Sequence, residues 1–297
     1  MEISRDRARV GGGDRRSGGT GLALTPVVTF LSDYGLTDEF VGVCHGVIAR
    51  ICPAAHVIDL SHGVPRHDVG AGAALLAGAL PYLPVGVHLA VVDPGVGSER
   101  RAVVVQCADG RRLVGPDNGL LWPAAEASGG ATRAVDIGDS PFALRPVSAT
   151  FHGRDLFAPV AARLAAGADV GDAGGEFDVG DLVALTLGAA RREGDDLIAP
   201  VRGIDSFGNL ALGATAADLE VTDWRGGCEP GARLALALAD GTELTVAHGR
   251  TFAEAPAGTL IVYEDSFGRL AVAVNLGDAA ERLGLSVGDE IRIRAAR

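Results

Sequence analysis

The chain has 297 residues, of which 47% are hydrophobic and 22% charged, and its formal net charge is -12 at pH 7. This acidic balance argues against a nucleic-acid-binding protein, which needs clustered basic side chains. No apolar run approaches the roughly 20 residues that span a bilayer. We therefore expect neither a nucleic-acid nor a membrane partner, and the length predicts about two domains.

The N-terminal segment, residues 1–24, is polar and rich in glycine and arginine. It lacks the apolar core of a signal peptide, so we expect a disordered leader outside the fold. The four cysteines, Cys44, Cys52, Cys107 and Cys228, form no CxxC pair and have no metal-ligand spacing. We interpret them as reduced thiols of a cytoplasmic protein, and we expect no metal in the functional site.

Strands and helices alternate in the first half of the chain, as judged from β-rich apolar runs and from helical spacing of apolar residues. The predicted strands are 25–31, 56–60, 87–92, 102–106 and 112–114, and the predicted helices are 40–51, 70–80, 120–126 and 156–166. This alternation predicts a three-layer α/β domain, which we place at residues 25–175.

Two of the predicted strands end at an acidic residue. The run Val87 to Val92 stops at Asp93, where Pro94 and Gly95 cannot continue a ladder, and the first strand leads into Ser32 and Asp33. Open α/β sheets bind their ligands at the carboxyl ends of strands. Asp93 is therefore a candidate site residue, and Arg100 can fold back beside it. A solvated turn with a surface arginine is the alternative.

The pattern changes after a glycine-rich stretch, and short strands separated by Gly/Asp turns follow. The predicted strands are 197–204, 210–212, 233–238, 243–248, 259–263, 270–275 and 290–294, with short helices at 215–219 and 279–283. Such spacing is typical of a small β-barrel or sandwich. We place a linker at residues 176–194 and a C-terminal β-barrel domain at residues 195–297.

Five strings of residues resemble one known family in their order and spacing. They are Phe30-Leu-Ser-Asp-Tyr-Gly35, Val91-Val-Asp-Pro-Gly-Val-Gly97, Gly115-Pro-Asp-Asn-Gly-Leu-Leu121, Thr150-Phe-His-Gly-Arg-Asp155 and Ile204-Asp-Ser-Phe-Gly-Asn209. The chain is thereby similar to the S-adenosylmethionine (SAM) hydroxide adenosyltransferases, the adenosine-forming SAM hydrolases, which are related to the SAM-dependent fluorinase and chlorinase. The resemblance extends from about Pro26 to Arg294.

The resemblance implies an N-terminal α/β domain, a C-terminal β-barrel and a homotrimer. In that family each site lies where the N-terminal domain of one subunit meets the C-terminal domain of a neighbour. The implied reaction is the hydrolysis of SAM to adenosine and L-methionine, by attack of an activated water at ribose C5′. SAM is then the substrate, and no cofactor is expected.

The resemblance also implies the roles of individual residues. The catalytic triad of the family falls on Asp93, Arg100 and His152, and Asp33 matches an acid that holds the ribose hydroxyls. The remaining matched positions are Asp205 near the methionine ammonium, Asn209 near adenine, Ser266 near the methionine carboxylate, and Phe207 and Phe252 lining the adenine pocket. Asp93 is expected to take the proton of the water, but the sequence leaves open which triad member holds it.

Two alternatives differ from hydrolysis in chemistry. A halogenase would attack C5′ with a halide, but the carboxylate of Asp93 would repel an anion. His67 also replaces an aromatic residue of the halogenases, and Val96 and Gly153 stand where the fluorinase has hydroxyl residues. The other alternative is a non-catalytic SAM or adenosine binder, which the filled triad positions disfavour.

The chain departs from the family pattern beside Ser266, where Asp265 replaces the Asn that is usual in the relatives.

Overall fold

The computed structural model describes residues 25–220 and 229–296. The predicted leader and Cys228 lie outside these ranges. Within them, Cys44, Cys52 and Cys107 are buried and form no disulfide. The described helices include none that is both long enough and apolar enough to cross a membrane.

A seven-stranded sheet is the centre of the N-terminal half. Its strands are β1 (Val27–Ser32), β2 (His56–Ser61), β3 (Val87–Val91), β4 (Ala102–Cys107), β5 (Arg112–Pro116), β6 (Ala131–Asp136) and β7 (Gly175–Phe177). The order across the sheet is β2-β1-β3-β5-β4-β6-β7. The first four strands in this order are parallel, and the remaining pairs are antiparallel. A parallel centre brings several carboxyl ends to one edge of the sheet.

Helices cover both faces of this sheet. They are α1 (Phe40–Ile51), α2 (Val69–Ala79), α3 (Trp122–Ala127) and α4 (Ala158–Ala165). Neighbouring residues of a strand point to opposite faces, so Phe30 packs in the core beneath α1 and α4, while Leu31 packs in the core beneath α2 and α3. The predicted three-layer α/β domain is confirmed.

The C-terminal half is a closed barrel of seven strands. Its strands are β9 (Asp196–Ile204), β10 (Leu210–Leu212), β11 (Arg233–Ala237), β12 (Glu243–His248), β13 (Leu260–Glu264), β14 (Leu270–Val274) and β15 (Glu290–Ala295), and β8 (Arg191–Glu193) extends the sheet beside β9. Pairing of β10 with β9 closes the ring. Two short helices, α5 (Ala216–Glu220) and α6 (Ala279–Leu283), accompany the strands. The predicted barrel is confirmed.

One pair of barrel neighbours is parallel. All other neighbours in the ring are antiparallel, but β12 and β13 run in the same direction. Parallel neighbours cannot be joined by a tight hairpin, so residues 249–259 pass from one end of the barrel to the other. The side-chain amide of Asn275 donates to the carbonyl of Ala255 at 2.7 Å and anchors this crossover segment.

The chain between the sheet and the barrel packs on the α/β domain. Leu182, Leu185 and Leu187 contact the core beneath α2 and α3. The carboxylate of Asp117, which is buried, accepts the backbone N–H of Val183 at 2.8 Å. Asp117 therefore has a structural role in holding this segment.

Candidate active site

Asp33 and Asp93 follow adjacent parallel strands. β1 pairs with β3 so that Ser32 lies opposite Val91, and both acids consequently lie at the same edge of the sheet. Both line a cavity of about 410 Å³, together with His67 and His152. The two strand-end acids predicted from the sequence therefore share one cavity.

Arg100 connects Asp93 to His152. Its Nε donates to Asp93 Oδ1 at 2.9 Å, its Nη2 donates to Asp93 Oδ2, and Nη2 also lies 3.0 Å from His152 Nδ1. The side chains of Arg100 and Asp93 are only 11% and 6% exposed. A bidentate pair this well buried has a fixed geometry. The predicted triad thus forms one hydrogen-bonded network in the structure.

The turn after β3 sets the position of Arg100. Gly97 has φ +79°, and a Cβ there would lie 2.7 Å from the carbonyl oxygen of Ala149, so the turn needs glycine. Ser98 Oγ donates to the carbonyl of Gly95 at 2.7 Å and accepts the backbone N–H of Arg100 at 3.3 Å. The guanidinium group then lies over the ring of Phe157, 5.3 Å from its centroid.

His152 is held in its neutral form. Burial, followed by the positive charge of Arg100, lowers the pKa of His152 below its ordinary value of 6.5, although Asp93 acts in the opposite direction. Because the Nδ1 atom faces a guanidinium donor, it is the acceptor of the ring, and the proton is on Nε2. A neutral imidazole with this tautomer can orient a water molecule.

A π-helical turn, Gly153–Phe157, follows His152 and leads into α4. Pro159 stands in the first turn of α4 and has no N–H for a helical bond. The carbonyl of Asp155 accepts instead from the backbone N–H of Leu144, at 2.8 Å. Such turns are frequent at functional sites, and here the irregular turn directs His152 into the cavity.

Asp33 is oriented by the neighbouring loop. Its Oδ2 accepts the backbone N–H of His67 at 3.0 Å. His67 has φ +67°, a conformation that non-glycine residues adopt at a cost of order 1–3 kcal/mol. The strained residue thus places one donor on Asp33 and its own side chain along the cavity.

Tyr34 also lines this cavity, although its sequence pattern predicted no role for it. Its ring packs edge-on against Phe30 and Phe151. Burial, followed by the nearby Cys44 and Asp33, raises the pKa of Tyr34 well above its usual 10. The phenol is therefore a neutral hydroxyl group at the triad. Its position directly after Asp33 in the sequence was the feature that could have identified it as a site residue.

Gly153→Ala is expected to destabilise the protein by about 1–3 kcal/mol, because the added Cβ would collide with the hydroxyl of Tyr34. Thermal unfolding should show a lower Tm. Gly46→Ala in α1 is the matched control, since a Cβ there meets no atom within 4 Å and alanine favours a helix by roughly 0.5–1 kcal/mol. Equal Tm values for the two variants would contradict the tight contact.

The five candidate residues of the C-terminal half line a second cavity, of about 740 Å³. They are Asp205, Phe207, Asn209, Phe252 and Ser266. Asp205 Oδ1 accepts the backbone N–H of Phe207 at 2.9 Å, and Oδ2 accepts the side-chain amide of Asn209 at 2.8 Å. The ring of Phe207 is 75% exposed and makes the cavity wall open to solvent.

A second turn of the same form follows β13. Asp265 Oδ1 accepts the backbone N–H of Phe267 at 2.8 Å, and Oδ2 accepts Arg269 Nε at 2.9 Å. The carbonyl of Ser266 accepts the hydroxyl of Tyr82, at 3.2 Å. An aspartate at position 265 is thus explained by its pairing with Arg269.

The two cavities share no lining residue. Asp33, Asp93 and His152 line the first, with Arg100 bonded to two of them, and the barrel residues line the second. Within one chain, the nine candidate residues therefore form two separate half-sites. We call them the sheet half-site and the barrel half-site.

Two sequence profiles match the chain in order. That of the SAM hydroxide adenosyltransferase N-terminal domain matches residues 28–174, and that of the C-terminal domain matches residues 199–292. A crystal structure of an uncharacterized conserved protein from Thermotoga maritima superposes with a TM-score of 0.82 at 34% identity, covering 90% of this chain and 99% of that one.

Curated relatives cover nearly the whole chain. An (R)-S-adenosyl-L-methionine hydrolase from Salinispora arenicola is 49% identical over 92% of this chain and 100% of its own length. One of the same name from Thermus thermophilus is 42% identical, over 90% and 98%. A fluorinase from Actinopolyspora mzabensis is 27% identical, over 90% and 97%. By both domain profiles and these identities, the chain belongs to the SAM hydroxide adenosyltransferase family.

Proposed function

We propose that this protein hydrolyses SAM to adenosine and L-methionine. The observation that carries the proposal is the Asp93–Arg100–His152 network at the edge of the sheet, beside a cavity that also contains Asp33. A carboxylate, a neutral imidazole and a fixed cation are the groups needed to hold and deprotonate a water molecule.

The reaction needs a nucleophile more than it needs an acid. Sulfonium sulfur leaves as the neutral thioether of methionine, taking the electron pair of the C5′–S bond, so the leaving group requires no proton. Bulk water has a pKa of about 15.7 and attacks slowly. Holding it in line with C5′ can contribute about 7–11 kcal/mol. The new C5′–O bond forms as Asp93 accepts the proton that the water loses.

The charges of the triad suit a cationic substrate. An unpaired arginine beside a sulfonium would raise the energy of the bound substrate, but the bidentate contact with Asp93 neutralises Arg100. The carboxylate of Asp93 therefore has two functions: it accepts the proton, and it offsets the positive charge of Arg100 that would otherwise repel SAM. Asp33 is free to hold the ribose hydroxyls through the oxygen that does not face His67.

We propose that the barrel half-site of a neighbouring subunit binds the rest of the substrate. Phe207, Phe252 and Asn209 are suited to the adenine, and Asp205 and Ser266 to the ammonium and carboxylate of methionine. The separation of the two cavities within one chain supports this arrangement. A cyclic homotrimer closes each sheet half-site with the barrel half-site of the next subunit.

Substrate stereochemistry, cofactor use and location complete the proposal. The curated relatives are named for the (R) form of SAM, and we propose the same sulfonium epimer here. No cofactor takes part, since the sulfonium is itself activated for displacement. The enzyme works in the cytoplasm, consistent with its free, buried thiols at Cys44, Cys52 and Cys107.

The test is product analysis with separated sulfonium epimers in water enriched in oxygen-18. Adenosine labelled at its 5′ oxygen, with unlabelled methionine, is expected, and the (R) epimer should react faster. Parallel reactions contain chloride. A 5′-chloro-5′-deoxyadenosine product would favour the halogenase, whereas tight binding without turnover would favour a non-catalytic binder.

The hydrolysis rate is expected to fall in acidic solution, with a midpoint below the ordinary histidine pKa of 6.5, and to stay level above neutral pH. Because the pKa of His152 is lowered from 6.5, its ring is neutral at pH 7 and becomes charged only in more acidic solution. Protonation removes the Nδ1 acceptor and sets two cations 3.0 Å apart. A pH profile of kcat/KM checks this, with His152→Gln as the variant that should lack the acidic limb. A wild-type midpoint above 6.5 would contradict it.

A further inference from the structure

A second polar cluster lies outside the cavity, between α1 and the end of β2. His45 Nε2 is hydrogen-bonded to Asp59 Oδ1 at 2.8 Å, and His62 Nε2 lies 3.1 Å from the same oxygen. The ligand atoms of all three residues lie within 4.8 Å of one another. None of the three lines either half-site, so the reaction proposed above gives the cluster no role.

His62 is the informative member of this cluster. Its side chain is only 2% exposed, and among the described residues its Nε2 has no hydrogen-bond partner, although Asp59 Oδ1 is near. Its Nδ1 is 2.7 Å from Ser32 Oγ. Metal-binding histidines commonly have one ring nitrogen held by a hydrogen bond while the other binds the ion.

The orientation of His62 suits an ion better than a proton. A shared proton lies close to the line between nitrogen and oxygen. An ion about 2.05 Å from each of two atoms that are 3.1 Å apart lies off that line, about 40° from it at the nitrogen. A short N···O distance without a hydrogen bond is the arrangement expected when the lone pair of His62 points beside Asp59.

An irregularity of the backbone brings the ligands together. Residues three apart along a regular strand point to opposite faces. The pairing of β1 with β2 shifts by one residue after Phe30, which lies opposite Asp59, so that Leu31 lies opposite Ser61. Bulges of this kind redirect side chains. Here Asp59 and His62 both turn toward His45 on α1.

We propose that His45, Asp59 and His62 bind a divalent transition metal ion of the zinc type. Two imidazoles and one carboxylate are a donor set that favours Zn²⁺ over Mg²⁺. The side chains of His45 and Asp59 are 35% and 40% exposed, which leaves an entry path and room for water as the remaining ligand. The sequence led us to expect no metal, because these residues do not have a familiar ligand spacing.

The ion would support the loop that carries Asp33. His62 contacts this loop twice, through Ser32 Oγ and through its own carbonyl, which accepts the backbone N–H of Gly35 at 2.8 Å. A bound ion that fixes His62 therefore also fixes the residues on both sides of Asp33. The role is structural, and the ion does not contact the substrate.

Metal binding is measured on the full-length, tag-free protein by equilibrium dialysis against Zn²⁺, and by the visible absorption of Co²⁺ in the same site. We expect one saturable Zn²⁺ per chain, no comparable Mg²⁺ binding, and a loss of affinity of at least about tenfold in His45→Gln and Asp59→Asn. His56→Gln is the matched control, because His56 is an exposed residue of the same strand outside the cluster.

The outcomes of the metal-binding measurements can be judged independently of the proposed hydrolysis. No saturable Zn²⁺ binding by the wild-type protein, or an equal loss in His56→Gln, would overturn the proposal. Circular dichroism confirms that each variant is folded before the comparison. None of these measurements depends on SAM turnover, so a failure of the proposed hydrolysis would leave the metal result unaffected.

Discussion

Replacing Asp93 with asparagine is expected to lower kcat by about 10²–10⁴-fold, the range that general base catalysis contributes. The amide keeps the size of the side chain but cannot take the proton of the attacking water. It also leaves Arg100 unpaired in a site where both side chains are nearly buried. The dissociation constant for SAM should therefore rise, because the uncompensated cation repels the sulfonium.

Two measurements separate these effects. Steady-state rates at saturating SAM report kcat, and calorimetric titration reports the dissociation constant. Removing the cation as well, in the double variant Asp93→Asn/Arg100→Gln, should recover affinity without recovering the rate. Asp139→Asn is the control, since Asp139 is an exposed acid of the same domain. A wild-type rate in Asp93→Asn would mean that another group activates the water.

Mixing two inactive variants is expected to restore activity if each site is shared between subunits. One variant, Asp93→Asn, has a defective sheet half-site. The other, Phe207→Ala/Asn209→Ala, has a defective barrel half-site, and we expect it to lose about 10²-fold in rate through misplaced substrate. Phe207 is 75% exposed in the chain, so its removal should cost little folding stability.

The expected recovery follows from random assembly. When the two variants are unfolded together in equal amounts and refolded, about one quarter of the sites in a cyclic trimer combine an intact sheet half-site with an intact barrel half-site. Activity should thus reach about a quarter of the wild-type rate. Refolding each variant alone is the control. A mixture as inactive as its components would show that each chain builds its own site.

The elements with strong local patterns were predictable. The apolar run of β3, the helical spacing of α1 and the Gly/Asp turns of the barrel each specify structure within a short window. Strand β6, Ala131–Asp136, and the three-residue β7, Gly175–Phe177, were not predicted. Their short segments contain little apolar periodicity. β6 forms a strand because β4 offers an edge to pair with, and β7 in turn pairs with β6.

Only part of the site was predictable, because several of its residues come from segments that are distant in the sequence. Asp93 and Arg100 are seven residues apart, and a strand end followed by a turn brings them together. His152 comes from a distant segment, so the resemblance supplied it and physical reasoning on the sequence did not. Tyr34 and the cluster of His45, Asp59 and His62 depend on packing between elements, which no local pattern encodes.

The parallel pair of barrel strands has a consequence for engineering. Residues 250–257 of the crossover lie outside the registered strand pairs. Substitutions at its exposed positions therefore leave those pairs intact as long as Ala255, which is buried and accepts from Asn275, is retained. This segment includes Phe252, which lines the barrel half-site. Under the adenine binding proposed above, grafting the crossover from other members of the family would exchange the contact that Phe252 supplies, and it would leave Asp93, Arg100 and His152, which belong to the other domain, as they are.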